Sequence, residues 1–278
     1  MPELPEVETI RRSLGRQLTG RRLVAVKFGT RRVAMHPGPA EFRRQLIGAT
    51  VLGVGRRGKY LVFSLSNGRK LVLHLGMSGQ VRRFGYDAMH KHEHLRLRFS
   101  DGQTLSFVDA RRFGRVCVTN GGALPRPIRG MERMGPEPID AGYNAAFLAA
   151  RLSGRNAPVK SLLLDQRVAC GVGNIYSDEA LHRAGIKPDR RAGSLKPPEV
   201  SRLTGALGSV LRDGIRWCGT TMSDGGYVRV DGSVGSFQDR LRVYGREGEK
   251  CRRRGCKGVV RRKRIGGRST HFCPACQK

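Results

Sequence analysis

Four cysteines close to one end of the chain have the spacing of a metal site. Cys273 and Cys276 are two residues apart, a gap that lets both sulfurs of a tight turn meet one tetrahedral ion, and Cys251 with Cys256 offers a looser second pair. Four thiolates suggest one Zn2+, and a site with no open position holds a small fold together rather than doing chemistry. Cys117, Cys170 and Cys218 are scattered through apolar or mixed sequence and are expected to be reduced core thiols. The opposite end offers a different chemistry. Met1 precedes a small residue and is expected to be removed, which leaves Pro2 with a secondary amine. An α-amino group titrates near ~8, so a useful fraction would be a free nucleophile at neutral pH. Taken alone, however, Pro2 reads first as a residue that opens a helix. His92 and His94 are separated by one residue and could suggest a second metal, but no third ligand is evident.

These residues sit in a chain of 278 residues with 53 Lys and Arg against 22 Asp and Glu, a formal net charge of +31. Solubility needs far less, so the excess points to a polyanionic partner, with nucleic acid favoured. No apolar run approaches a bilayer span, and the opening MPELPEVE is unlike a signal peptide, so no membrane and a cytoplasmic location are expected. The hairpin that the cysteines would clamp carries Arg252, Arg253, Arg254, Lys257, Arg261, Arg262, Lys263, Arg264 and Arg268, which suits a phosphate-seeking surface.

The positioning elements are legible from periodicity. Leu4 to Leu18 has helical spacing, with Glu3, Glu6 and Glu8 early and Arg11, Arg12 and Arg16 late, an order that complements a helix dipole. Short runs then follow, LVAVKF, KYLVFSL, KLVLHL, HLRLRF, TLSFVDA and RVCVTN, with turn signals at Ser66-Asn67-Gly68 and Ser100-Asp101-Gly102. They predict an antiparallel β-sandwich or barrel over residues 1–125. The Pro- and Gly-dense stretch PRPIRGMERMGPEPIDAGY places a linker at 126–143. Helical spacing at 144–152, 160–167, 174–184 and 198–218 predicts a mainly helical second domain over 144–248, followed by the cysteine hairpin at 249–278.

Further motifs recur along the chain: Gly58-Lys59-Tyr60, His74-Leu75-Gly76-Met77-Ser78-Gly79, Asp109-Ala110-Arg111-Arg112-Phe113-Gly114 and Gly171-Val172-Gly173-Asn174-Ile175-Tyr176. With Pro2-Glu3-Leu4-Pro5-Glu6-Val7-Glu8 and the cysteine tail, they make the chain resemble the formamidopyrimidine-DNA glycosylase family of base-excision repair, nearly end to end. The related endonuclease VIII branch usually opens Pro-Glu-Gly-Pro, so Leu4 favours the oxidised-purine branch. The resemblance implies an α+β fold with an N-terminal β-sandwich, a helix-two-turn-helix domain and a zinc hairpin. It also implies duplex DNA carrying an oxidised purine or an abasic site as partner. Monomer is the default, since no dimerisation motif is evident.

By that resemblance Pro2 is the Schiff-base nucleophile, Glu3 its acid/base partner, Lys59 a participant in base loss and β-elimination, and Arg268 the helper of δ-elimination. Met77 and Phe113 would wedge into the base stack and Arg111 would read the cytosine opposite the lesion. His92 and Arg155 match DNA-contact positions, Asn174 at an expected helix start can hold phosphate, and Lys160, ahead of the same motif, is a reasonable contact to the DNA backbone. The glycine-rich segment at about 220–237 is similar to a mobile lesion-capping loop. Two departures stand out: four residues rather than two separate Cys251 from Cys256, and Ala110 stands where the family often has proline. A DNA-binding protein that kept the fold and lost the reaction is the main competing reading, and the presence of Pro2, Glu3, Lys59 and Arg268 argues against it.

Overall fold

The structure, a computed structural model, describes residues 1–29, 33–83, 89–120, 122, 124–222 and 225–278. They divide into two compact units, Met1–Arg133 with Trp217–Ser236, and Met134–Arg216 with Phe237–Lys278.

In the first unit, helix α1 (Leu4–Leu18) spans the expected residues. Val7, Ile10, Leu14 and Leu18 repeat at three- and four-residue intervals and are buried in one core. Its start is fixed by Glu6, which reaches back to accept the Glu3 backbone N–H at 2.8 Å, one arm of a capping box. Pro5 falls in the first turn, where a missing N–H costs no helical bond. The strands are β1 (Leu23–Phe28), β2 (Ala34–His36), β3 (Val51–Arg57), β4 (Tyr60–Leu65), β5 (Lys70–His74), β6 (Gln80–Arg82), β7 (Glu93–Phe99), β8 (Thr104–Val108) and β9 (Arg115–Thr119), with the short helix α2 (Pro39–Leu46) between β2 and β3. They form two sheets, ordered β1-β7-β8-β6 and β2-β9-β5-β4-β3. The two expected turn signals do join antiparallel neighbours, β4 to β5 and β7 to β8. The one parallel pairing among the described strands is β2 with β9. Leu61, Phe63, Leu71 and Leu73 from one sheet meet Leu95, Leu97, Phe99, Leu105 and Phe107 from the other in a shared core. Tyr227 and Val230, from the late segment, belong to the same core.

The second unit holds α3 (Ala145–Leu152), α4 (Val159–Leu163), α5 (Asn174–Ala184) and α6 (Pro197–Arg216), then the hairpin β10 (Arg261–Ile265) and β11 (Arg268–Phe272). α6 buries Val200, Leu203, Leu207, Val210 and Leu211 along one face. The helix expected over 160–167 stops at Leu163, because the Asp165 side chain takes the Arg167 N–H and closes a local turn instead. No helix among the described residues is long and apolar enough to cross a membrane.

Candidate functional site

In the first unit Met1 is exposed and the chain turns inward directly after it. Pro2 is buried and Glu3 is only 1 % exposed. Glu6, equally buried, divides its carboxylate between the Glu3 N–H and the Thr220 N–H, each at 2.8 Å. The start of α1 is thereby tied to the Trp217–Ser236 segment. That segment is closed at its own base by Ser236 N–H on the Trp217 carbonyl at 3.0 Å. Part of the expected capping loop, Ser223 and Asp224, lies outside the described residues.

Lys59 lies in the turn between β3 and β4 and is 6 % exposed. Arg56 fastens that turn to α1: it donates to Glu8 at 3.1 Å and to the Gly58 carbonyl at 3.0 Å. Burial would raise the Glu8 pKa, but hydrogen bonds from Arg11, Arg12 and Arg56 outweigh it and hold the carboxyl below its ordinary value. Across the β4–β5 pair, the His74 ring packs on Tyr60 with centroids 4.6 Å apart. Burial, then the positive charges of Lys59 and Arg115, lower His74 to about 4. The ring is therefore neutral at physiological pH, and its Nδ1 accepts the Gly76 N–H at 3.1 Å, shaping the turn that carries Met77.

Met77 and Phe113 belong to loops that touch. Gly76 has φ +64, and a Cβ there would lie 2.6 Å from the Phe113 carbonyl carbon, so only glycine permits this approach. Met77 is half-buried, whereas Phe113 is 52 % exposed, an unusual placement for a phenylalanine beside a polar loop. The Arg111 guanidinium stands 5.2 Å from the Phe113 ring centre. His92 enters β7 from the same side through the hydrogen bond of Asp109 N–H to the His92 carbonyl, 3.0 Å. Asp109 itself, fully buried, was not singled out by residue type, and it joins all of these loops. Its Oδ1 accepts from Ser78 Oγ at 2.6 Å and from Arg111 N–H at 3.2 Å, and its Oδ2 accepts Gly114 N–H at 2.7 Å. His94, 2 % exposed, puts Nε2 2.7 Å from the Asp109 carbonyl oxygen, so its ring is occupied within the loop framework.

In the second unit, Arg268 is exposed directly after Gly266 and Gly267, whose φ of +54 and +76 make the hairpin tip. The next residue ties it down. The Ser269 carbonyl accepts the Asn174 amide at 2.9 Å and the Lys160 ammonium at 3.0 Å. Asn174 opens α5, so Arg268 and the start of that helix are held to one node. Lys160, expected as a contact to the DNA backbone, is placed inside the unit. It is fully buried, paired with the equally buried Asp178 at 2.6 Å, and also bonded to Thr270 Oγ1 at 2.9 Å. Asp178 in turn accepts the His271 N–H at 2.8 Å. The Lys160 ammonium is spent inside the protein, positioning the strand that follows Arg268. Lys160→Met is expected to destabilise the chain by about 3–5 kcal/mol, because it leaves the Asp178 carboxylate buried without its cation. Thermal denaturation beside the wild type measures this. Arg155 stands apart on the exposed turn after α3.

The cysteine sulfurs converge. The Sγ atoms of Cys251, Cys256, Cys273 and Cys276 all lie within 4.8 Å of one another, with Cys251 to Cys276 at 3.8 Å and Cys256 to Cys273 at 3.7 Å. Tetrahedral bonds of about 2.3 Å to zinc place sulfurs about 3.8 Å apart, so the four thiolates fit one Zn2+ with no position left open. The longer first spacer is accommodated within this geometry. His182, buried at the end of α5, holds Nε2 3.3 Å from Cys251 Sγ and 3.7 Å from Cys276 Sγ, where a ring N–H can steady the ligand sulfurs. Among the described residues no other group of His, Cys, Asp and Glu side chains converges in this way. Gln277 bolts the knuckle to the end of α5 through Cys273 N–H and the Ile186 carbonyl, at 2.7 and 2.8 Å. Of the basic residues nearby, Arg252 and Arg253 donate to main-chain carbonyls, Arg252 while still exposed, and Arg254, Lys257, Arg261, Arg264 and Arg268 are exposed as well.

Three family models match the chain: the formamidopyrimidine-DNA glycosylase N-terminal domain over residues 1–116, the formamidopyrimidine-DNA glycosylase H2TH domain over 134–225, and a zinc finger found in FPG and IleRS over 248–278. Formamidopyrimidine-DNA glycosylase of Rhizorhabdus wittichii is 46 % identical over the whole length of both chains. The protein of the same name from Pelotomaculum thermopropionicum is 43 % identical over all of this chain and 99 % of its own. Among solved structures, the MutM (Fpg) protein of Thermus thermophilus is similar with a TM-score of 0.88 and 42 % identity, covering 99 % of this chain and 98 % of that one. A Lactococcus lactis Fpg mutant bound to Fapy-dG-containing DNA gives a TM-score of 0.91 at 33 % identity over the whole of both chains.

Proposed function

Because the chain belongs to the formamidopyrimidine-DNA glycosylase family, we propose that it excises oxidised purines, 8-oxoguanine and formamidopyrimidines, from duplex DNA through a Schiff base on Pro2 and then cuts the strand by β,δ-elimination. At the coarser level it is a DNA glycosylase acting on damaged DNA. The observation that carries the finer reading is the burial of Pro2 and Glu3 at the head of α1. Chain ends normally fray in solvent. The residue that becomes the end once Met1 is removed is already held in place, beside a carboxylate, which suits it to chemistry.

Once Met1 is removed, the Pro2 nitrogen attacks C1′ of the damaged nucleotide and the base leaves. The sugar ring opens as the C1′–O4′ bond breaks to give the iminium, which draws electrons from C2′; loss of a proton there expels the 3′ phosphate, and loss of a second proton from C4′ expels the 5′ phosphate. Glu3 handles protons at the sugar during ring opening and base loss. Lys59, buried in a turn fastened to α1, serves base loss and the first elimination. Arg268, exposed at a rigidly anchored hairpin tip, receives the departing phosphate with its forked guanidinium in the second.

An extruded nucleotide leaves a gap in the stack. Met77 and exposed Phe113 fill it, and Arg111 reads the opposing cytosine. His92, Arg155 and Asn174 contact the backbone, and Lys160 acts through the strand it anchors. The zinc held by Cys251, Cys256, Cys273 and Cys276 supplies a fixed base for the hairpin. The relatives solved with Fapy-dG and with abasic-site DNA support this substrate class.

A substrate panel tests the proposal. Borohydride is expected to trap a covalent adduct with 8-oxoguanine opposite cytosine and far less with thymine glycol. The reverse ranking would move the chain to the oxidised-pyrimidine branch, and no adduct with either would end the catalytic reading.

A further inference from the structure

We infer that Asp109 is a positioning residue that sets opposite-base selectivity, by holding Met77, His92, Arg111 and Phe113 in one frame. The inference rests on the proposed function and deepens it. The four residues come from three loops, and every loop is bonded to this one amino acid. Ser78, next to Met77, donates to Oδ1, as does the Arg111 N–H, while Gly114, next to Phe113, donates to Oδ2. The main chain completes the frame: the Asp109 N–H holds the His92 carbonyl, and the Asp109 carbonyl accepts from Arg112 N–H at 3.3 Å and meets the His94 ring.

Carboxylate chemistry is what this frame demands. Three donors converge on its two oxygens, and hydrogen bonds accepted by a carboxylate are stronger than those accepted by a neutral group. An asparagine has the same shape but only one acceptor oxygen. Its NH2 would face the Gly114 N–H in one orientation and the Arg111 N–H in the other, and that backbone donor would be left unmet. The loops are also in van der Waals contact at Gly76, so a shift of 110–114 moves the turn bearing Met77. Arg111 would then address the opposing base from a displaced backbone, whereas the chemistry at Pro2 does not involve Asp109.

The test compares wild type, Asp109→Asn and Ser78→Ala in single-turnover excision of 8-oxoguanine placed opposite cytosine or adenine, with borohydride trapping on abasic-site duplex as a second reading. Asp109→Asn is expected to narrow the cytosine-to-adenine preference about tenfold, and Ser78→Ala, which removes one bond of the frame, about threefold. Trapping on the abasic site should fall much less than the preference does. A folded Asp109→Asn protein with wild-type preference would overturn the inference and leave the function intact. If that variant does not fold, an unchanged preference in Ser78→Ala overturns it equally. A wild-type chain that traps no adduct would remove the function and this inference together.

Discussion

A chain that keeps Met1, or carries any residue ahead of Pro2, is expected to bind abasic-site DNA and yield no borohydride-trapped adduct. Acylating the Pro2 nitrogen turns an amine into an amide, whose lone pair is delocalised and cannot attack C1′. The loss should be about 1,000-fold or more in single-turnover excision, the scale on which an essential nucleophile differs from the remaining binding groups. DNA affinity should change little, because the exposed cations and the Met77 and Phe113 loops are untouched. Pro2→Gly, processed to a free amine, should recover part of the trapping. If the unprocessed chain traps DNA as well as the processed one, the nucleophile lies elsewhere.

The second large effect concerns the metal. Cys276→Ser is expected to lower zinc from one ion per chain to none by metal analysis, and to release the hairpin that carries Arg268. Structural zinc sites contribute on the order of 10–16 kcal/mol of apparent binding energy, far more than the local bonds of a short two-stranded element. The cations on the hairpin would lose their fixed array, and DNA affinity should fall roughly 100-fold at moderate salt. The slope of log affinity against log salt should flatten by about 0.9 for each phosphate that the released hairpin no longer neutralises. Strand-cleavage products should also shift toward the β-elimination form, since the buried Lys160 and Asn174 would no longer have the Ser269 carbonyl to hold. Retention of one zinc, or of the wild-type salt slope, would contradict this account.

The sequence carried local features better than the long-range contacts that hold them in place. The cysteine spacing implied a tetrahedral site, and the sulfurs do converge, because ligand spacing is a local property. Leu4–Leu18 was legible for the same reason, since apolar periodicity and terminal charges act over one or two turns. Asp109 was visible only as a letter in a motif. Its partner Ser78 lies 31 residues away, and no residue type announces an acceptor shared by two loops. Lys160 looked like a surface cation because the strand it grips lies 109 residues downstream. Its burial depends on Asp178 and on the hairpin being in place, a tertiary fact that periodicity does not encode. The attachment of Trp217–Ser236 to the first unit is of the same kind, carried by Tyr227, Val230 and the Thr220 bond to Glu6.

That attachment bears on how the protein is made. The first unit is discontinuous, and Tyr227 and Val230 complete a core whose other members have all left the ribosome by Val118. At synthesis rates of about 5–20 residues per second, the sandwich waits roughly 5–20 s for its last two apolar side chains. Throughout that interval the nascent chain displays a partly open core and a Glu6 carboxylate that has not yet met Thr220, the kind of surface that chaperones bind. The helical unit is largely synthesised meanwhile, so the two units mature out of chain order, and the end that bears Pro2 is among the last parts to be sealed.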